Sequence, residues 1–170
     1  MNSLPGEYYE IIAKPLDYGL QVLYTQIDRD QNNNPHLRTW SYNVDSSLYF
    51  YPASTIKLPV ALLALEKINE LNVPGLSSDS EMLSDSAYSG QTKVLIDSTS
   101  ESLKPSVAHY IKKIFLVSDN DAFNRLYEFL GQEYINNALA EKGFRNSGIV
   151  HRLSIFLSSE ENRHTNPISF

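Results

Sequence analysis

The chain has 170 residues, 42% of them apolar, no cysteine, and a net charge of -6 with an isoelectric point near 5.1. That length and apolar content suit one domain with its own core; the acidic balance argues against nucleic acid, which calls for a basic stripe; and the lack of cysteine excludes disulfides, zinc-thiolate sites and thiol catalysis. No run is long and apolar enough to cross a bilayer, and the four histidines, at 36, 109, 151 and 164, have no metal-ligand spacing.

Residues 7–13 carry apolar side chains at helical spacing and stop at Lys14-Pro15, because proline holds the residue before it away from helix. Residues 19–27 alternate loosely and are rich in branched and aromatic side chains, which predicts a strand. The polar cluster 28–35 reads as a turn and 37–44 as a second strand, so the pair makes a hairpin. Residues 46–52 are an extended approach to Ser54.

Ser54-Thr55-Ile56-Lys57 opens the apolar run 58–71, and the spacing predicts a helix over 54–71, apolar on several sides and therefore buried. Pro59 lies near its first turn, where a missing N–H costs little. Helix positions three apart share a face, so the Ser54 hydroxyl and the Lys57 amine become neighbours. A serine becomes a nucleophile when a neighbouring base takes its proton, and a lysine with suppressed charge can be that base. The same two residues also read as an N-cap and a solvated first-turn lysine. The helix start adds unpaired N–H groups and a positive dipole end beside Ser54, which favour developing negative charge.

Residues 73–102 are rich in Ser, Asp and Gly and predict short helices and loops. Further helices are expected over 105–117, 121–130 and 132–142, with Gly131 and Gly143 as C-terminal punctuation. Ser118-Asp119-Asn120 falls between the first two of these. Alone it is a plausible cap or turn. Coming after a Ser-x-x-Lys in this order, with a helical region between, it becomes the second half of a paired signal.

With these residues the chain resembles the class A serine beta-lactamases and the related penicillin-recognising serine hydrolases. The likeness is carried by the segment from Phe50 to Leu58 around Ser54 and by the segment from Leu116 to Leu126 around Ser118. The resemblance implies an α+β fold, with a helical lobe and part of a five-stranded antiparallel sheet. Residues 1–170 would form a single beta-lactamase-like domain, with 1–50 as helix and hairpin and 51–170 as a mainly helical lobe. The family's third element, a Lys-Thr-Gly-like strand, is absent, since Lys142-Gly143-Phe144 lacks the hydroxyl residue. The expectation is an amino-terminal portion that ends after the helical lobe, with a second chain or a swapped copy completing the sheet. By itself this portion is expected to be inactive or weakly active.

Carried over by matching position, the resemblance makes Ser54 the acylated nucleophile, with its backbone N–H as one oxyanion donor, and Lys57 the proton acceptor. Ser118 would pass a proton to the leaving nitrogen, Asn120 would bond Lys57 and the substrate amide, and Asp119 would brace the loop. Arg152-Leu153 and the stretch 163–167 resemble the ends of the loop that carries the family's deacylating base. Glu160 and Glu161 are the acidic candidates between them, without the family's Glu-x-x-x-Asn spacing; a solvated acidic pair is the other reading. The implied activity is hydrolysis of beta-lactam amides through an acyl-serine, in the periplasm or outside the cell. Residues 1–10 lack the basic start and apolar core of a signal peptide, so a mature-form chain behind a start methionine is expected. A penicillin-binding DD-peptidase-like or esterase-like enzyme with slow deacylation, and a non-catalytic binding module on the same scaffold, are the alternatives. The substrate would be a small beta-lactam or acyl-peptide. No cofactor or metal is signalled.

Overall fold

The computed structural model describes residues 6–170, so the reading of residues 1–10 falls partly outside the described residues. The chain divides into two compact units, Met1–Tyr51 and Pro52–Phe170. Helices and short antiparallel strands make it α+β, as the sequence led us to expect.

In the first unit, α1 (Gly6–Ala13) precedes the antiparallel pair β1 (Val22–Arg29) and β2 (Pro35–Tyr42). Val22 lies opposite Tyr42 and Arg29 opposite Pro35. Both strands extend into residues expected to be turn. The connection needs only five residues because the Asp30 carboxylate closes it, accepting from the backbone N–H of Asn32 and Asn34 at 2.9 and 2.8 Å. Tyr24 stacks on Trp40 with ring centroids 5.5 Å apart, and Thr25 meets Thr39 at 2.9 Å, so directly opposed pairs hold the register.

The second unit is the helical lobe. A 3-10 turn (Ala53–Ile56) leads into α2 (Lys57–Leu71), followed by α3 (Val107–Val117), α4 (Asn120–Leu130), α5 (Gln132–Glu141) and the short α6 (Ser159–Arg163). The helix expected from Ser54 thus begins at Lys57, and Ser54 sits in the tighter turn before it. Residues 73–102 form turns and isolated bridges in place of short helices. Their polar side chains bond nearby backbone, as when Asp97 accepts from Thr99 N–H at 2.9 Å and Asp85 from Ser86 N–H at 2.7 Å, and so compete with helix. Within that stretch β3 (Leu83–Ser84) pairs antiparallel with β4 (Ile168–Ser169).

The core arises from helical periodicity. Phe123, Leu126, Tyr127 and Leu130 line one stripe of α4, and Val107, Tyr110 and Ile114 one of α3; all are buried together with Val60, Leu63, Ala64 and Ile68 of α2. Not all of α2 is covered, as the sequence had implied, since Leu58 and Leu62 are more than half exposed. Side-chain caps fix the starts of α3 and α4. Ser106 accepts from His109 N–H at 3.1 Å ahead of α3, and Asp119 from Ala122 N–H at 2.9 Å ahead of α4; each such cap contributes about 1 kcal/mol.

Candidate active site

Lys57 lies on the buried stripe of α2, one turn before Val60 and Ala61, which is why a lysine here is only 3% exposed. A buried ammonium needs acceptors. Its Nζ donates to the Ser118 carbonyl, to Ser118 Oγ at 3.0 Å and to Asn120 Oδ1 at 2.6 Å. Burial pushes the Lys57 amine below its ordinary lysine value, and the nearby Asp119 carboxylate partly opposes that shift.

The three contacts also suit a neutral amine. Two partners, the Ser118 carbonyl and Asn120 Oδ1, only accept, and two N–H groups serve them; the third, the Ser118 hydroxyl, can donate to the freed lone pair. Losing a proton therefore leaves every Lys57 contact satisfied. The arrangement holds an amine of lowered basicity against a hydroxyl.

Local backbone geometry makes these contacts. Ser118 ends α3 in the left-handed region at φ 54°, which turns both its carbonyl and its hydroxyl towards Lys57. Asn120 is the first residue of α4, and the Asp119 cap sets where that helix starts. Behind the turn, Lys113 Nζ lies 3.2 Å from Asp97 and 3.5 Å from Asp119. Burial raises the Asp97 carboxyl, but hydrogen bonds from Thr99 and the charge of Lys113 outweigh it and hold the group at about 2.

Ser54 is exposed, and its hydroxyl makes no hydrogen bond among the described residues. Its carbonyl accepts from the Lys57 N–H. Ala53, just before it, has φ 45°, and Ser154 has φ 51°. Among the described residues seven non-glycine positions have positive φ; three are asparagines, which tolerate it, and three of the other four are Ala53, Ser118 and Ser154. Backbone strain of this kind costs about 1 to 3 kcal/mol per residue and concentrates where function over-determines the geometry.

The structure thus joins Lys57, Ser118 and Asn120 directly, with Ser54 one 3-10 turn ahead of Lys57. Glu160 and Glu161 lie elsewhere. Glu161 accepts from Ser158 N–H and Oγ at 2.9 and 2.7 Å in the capping box of α6, bonds that hold its carboxyl below the usual value. Glu160 is 65% exposed and faces His164 at 3.4 Å and Arg163 at 3.7 Å. Neither bonds to Ser54, Lys57, Ser118 or Asn120. Three contributors escaped sequence reasoning: Asn124, Glu128 and Ser154. Asn120, Asn124 and Glu128 recur every four residues, so they share one face of α4, and that polar stripe was the available signal.

A cavity of about 250 Å³ lies beside Arg125, Arg152, Ile155 and Asn166, and the Lys57 cluster does not line it. Among the described residues no three His, Cys, Asp or Glu converge to hold a metal ion. The arrangement can deprotonate a hydroxyl and relay the proton. A family model described as the beta-lactamase enzyme family matches residues 20–169. A search of curated proteins returned no match.

Proposed function

The chain belongs to the beta-lactamase enzyme family, and on that premise we propose that it is a serine hydrolase that opens beta-lactam amides through an acyl intermediate on Ser54. The observation that carries this reading is the buried Lys57 amine in contact with Ser118 Oγ and Asn120 Oδ1. Ser54 Oγ attacks the amide carbon, and its proton goes to the neutral Lys57. The tetrahedral oxyanion is met by the Ser54 backbone N–H, for which no protein acceptor is found among the described residues. The C–N bond breaks as Ser118 Oγ gives its proton to the leaving nitrogen and regains one from Lys57. Asn120 holds Lys57 and offers its carboxamide to the substrate.

For the second half-reaction the geometry favours slow release. The Asp119 carboxylate is engaged by Ala122 N–H and Lys113, and Glu160 and Glu161 are engaged in and around α6. A water attacking the ester therefore has Lys57 as its base. An acyl-enzyme that persists, as in a penicillin-binding peptidase, is the second reading. Both readings take class A-like chemistry on a beta-lactam or acyl-peptide, outside the cytoplasm, from the resemblance of the two motif segments. The family match spans both compact units, which supports one beta-lactamase-like domain. The outer edges of β1 and β2 are unpaired among the described residues, which supports pairing with a second chain or a swapped copy.

Mixing the protein with a chromogenic cephalosporin separates the readings: continuous turnover marks a hydrolase, and a stoichiometric burst with a stable mass adduct on Ser54 marks the slow acyl-enzyme. Absence of both once a second chain or a swapped copy completes the sheet sinks the proposal.

A further inference from the structure

One face of α4 holds three consecutive residues of the segment after α5, in reverse order. Asn120 donates from Nδ2 to Ser154 Oγ at 2.8 Å. One turn on, Asn124 brackets Leu153, donating to its carbonyl at 2.9 Å and accepting from its N–H at 2.7 Å. A turn further, the fully buried Glu128 carboxylate accepts from the Arg152 guanidinium at 2.5 Å. The bonds to Leu153 and Arg152 fix the segment in space. The bond to Ser154 reaches the Lys57 cluster.

A carboxamide is planar, with its acceptor on one side and its donor on the other. A bond on Asn120 Nδ2 therefore anchors the amide from the side opposite Oδ1, which accepts from Lys57 Nζ 2.6 Å away. The flipped amide would set N–H groups against the lysine N–H groups. The lysine thus sets the amide's orientation, and we infer that Ser154 is a positioning residue, whose hydroxyl anchors the Asn120 carboxamide within reach of Lys57. The backbone supports this, because Ser154 stands at φ 51°, where glycine is the relaxed choice but carries no hydroxyl. Leu153, held on both sides by Asn124, keeps the chain in that conformation.

This role deepens the reading of Lys57 as the base for Ser54, yet it can be tested without activity. The bond from Lys57 to Asn120 Oδ1 is stronger for the ammonium than for the neutral amine, so loosening Asn120 lowers the titration midpoint of Lys57. The charged group acting on Lys57 is Asp119, ahead of α4, itself held by Lys113; neither touches Ser154. With the whole chain labelled at lysine carbons, the Lys57 side-chain resonance is titrated by NMR in wild type, Ser154→Ala and Ser154→Thr. The expected result is a midpoint lowered by about one unit, a tenfold change, in Ser154→Ala and restored in Ser154→Thr. Ser154→Gly, relaxed at φ 51° and without the hydroxyl, is expected to lower the midpoint equally, should the alanine variant fold poorly. Equal midpoints with and without the hydroxyl overturn the inference.

Labelling of Ser54 with a fluorescent penicillin, measured against pH in the same variants, separates the two levels. A shifted midpoint without any Ser54 labelling upholds the role of Ser154 and removes the acyl-serine reading. Labelling with identical midpoints and pH profiles does the reverse.

Discussion

Lys57 Nζ and Asn120 Oδ1 lie 2.6 Å apart although 63 positions separate them in the chain. The contact unites the first turn of α2 with the first turn of α4, so the two helix starts converge on one amine. Ser118 reaches the same nitrogen from the end of α3.

Acylation of Ser54 is expected to speed up as pH rises. The neutral amine is the working form, and its fraction grows tenfold per pH unit below the midpoint. Since burial lowers the Lys57 midpoint from its ordinary value, the plateau begins below ~10.4, the reference for a free lysine. Lys57→Met removes the base and slows labelling by about 100-fold or more. A labelling rate flat with pH, or untouched by Lys57→Met, excludes Lys57 as the base.

Ser54→Ala removes the mass adduct with a beta-lactam and leaves the fold intact. The hydroxyl is exposed and makes no hydrogen bond among the described residues, so unfolding free energy changes by no more than about 0.5 kcal/mol. Urea denaturation beside intact-mass spectrometry reads both. An adduct that survives in Ser54→Ala assigns the nucleophile elsewhere.

Replacing Asp97 tests the support behind the Ser118 turn. Its carboxyl sits at about 2 in the folded chain against 3.8 ordinarily, so the folded state prefers the carboxylate. The resulting stability is present above pH ~4 and disappears as pH falls through about 2. At neutral pH Asp97→Asn costs about 1 to 2 kcal/mol, allowing for solvent screening. The deficit shrinks towards zero in the most acidic buffers, as chemical denaturation at several pH values will read. A deficit constant with pH removes the ionic explanation.

Glu128 is the keystone of a buried ion group, with Arg125 at 2.8 Å and Arg152 at 2.5 Å. Burial raises its carboxyl, while both guanidiniums act to lower it. Glu128→Ala leaves two buried guanidiniums without their shared partner, a loss of roughly 3 to 5 kcal/mol. The same variant frees residues 152–154, so backbone amide exchange there should accelerate more than exchange in α3. Uniform acceleration throughout the lobe points to global destabilisation only.

Glu160→Gln and Glu161→Gln are expected to leave the lifetime of the Ser54 acyl adduct unchanged, because both carboxylates are occupied away from the Lys57 cluster. Intact-mass spectrometry after a rapid penicillin pulse measures those lifetimes. An adduct that lives ten times longer in either variant identifies that residue as the deacylating base.

Local chemistry made much of this protein readable in one dimension. The α3, α4 and α5 stretches, the β1–β2 hairpin and the Ser54, Lys57, Ser118 and Asn120 motifs were all visible, because periodicity, caps and turn residues act over a few positions. The 3-10 turn at Ala53–Ile56 and the bridged stretch after α2 were not visible, because side-chain competition for nearby backbone decides them. Reading Glu160 and Glu161 by nearness to the family loop missed that Ser158 claims Glu161 as a cap. Ser154 carried no signal at all in its own neighbourhood. Its meaning arises when α4 lays Asn120, Asn124 and Glu128 against residues 154, 153 and 152. Sequence by itself determined which polar side chains stand at the helix ends; tertiary packing alone decided which of them share one amine, since a hydrogen bond acts over about 3 Å of space and takes no account of distance along the chain.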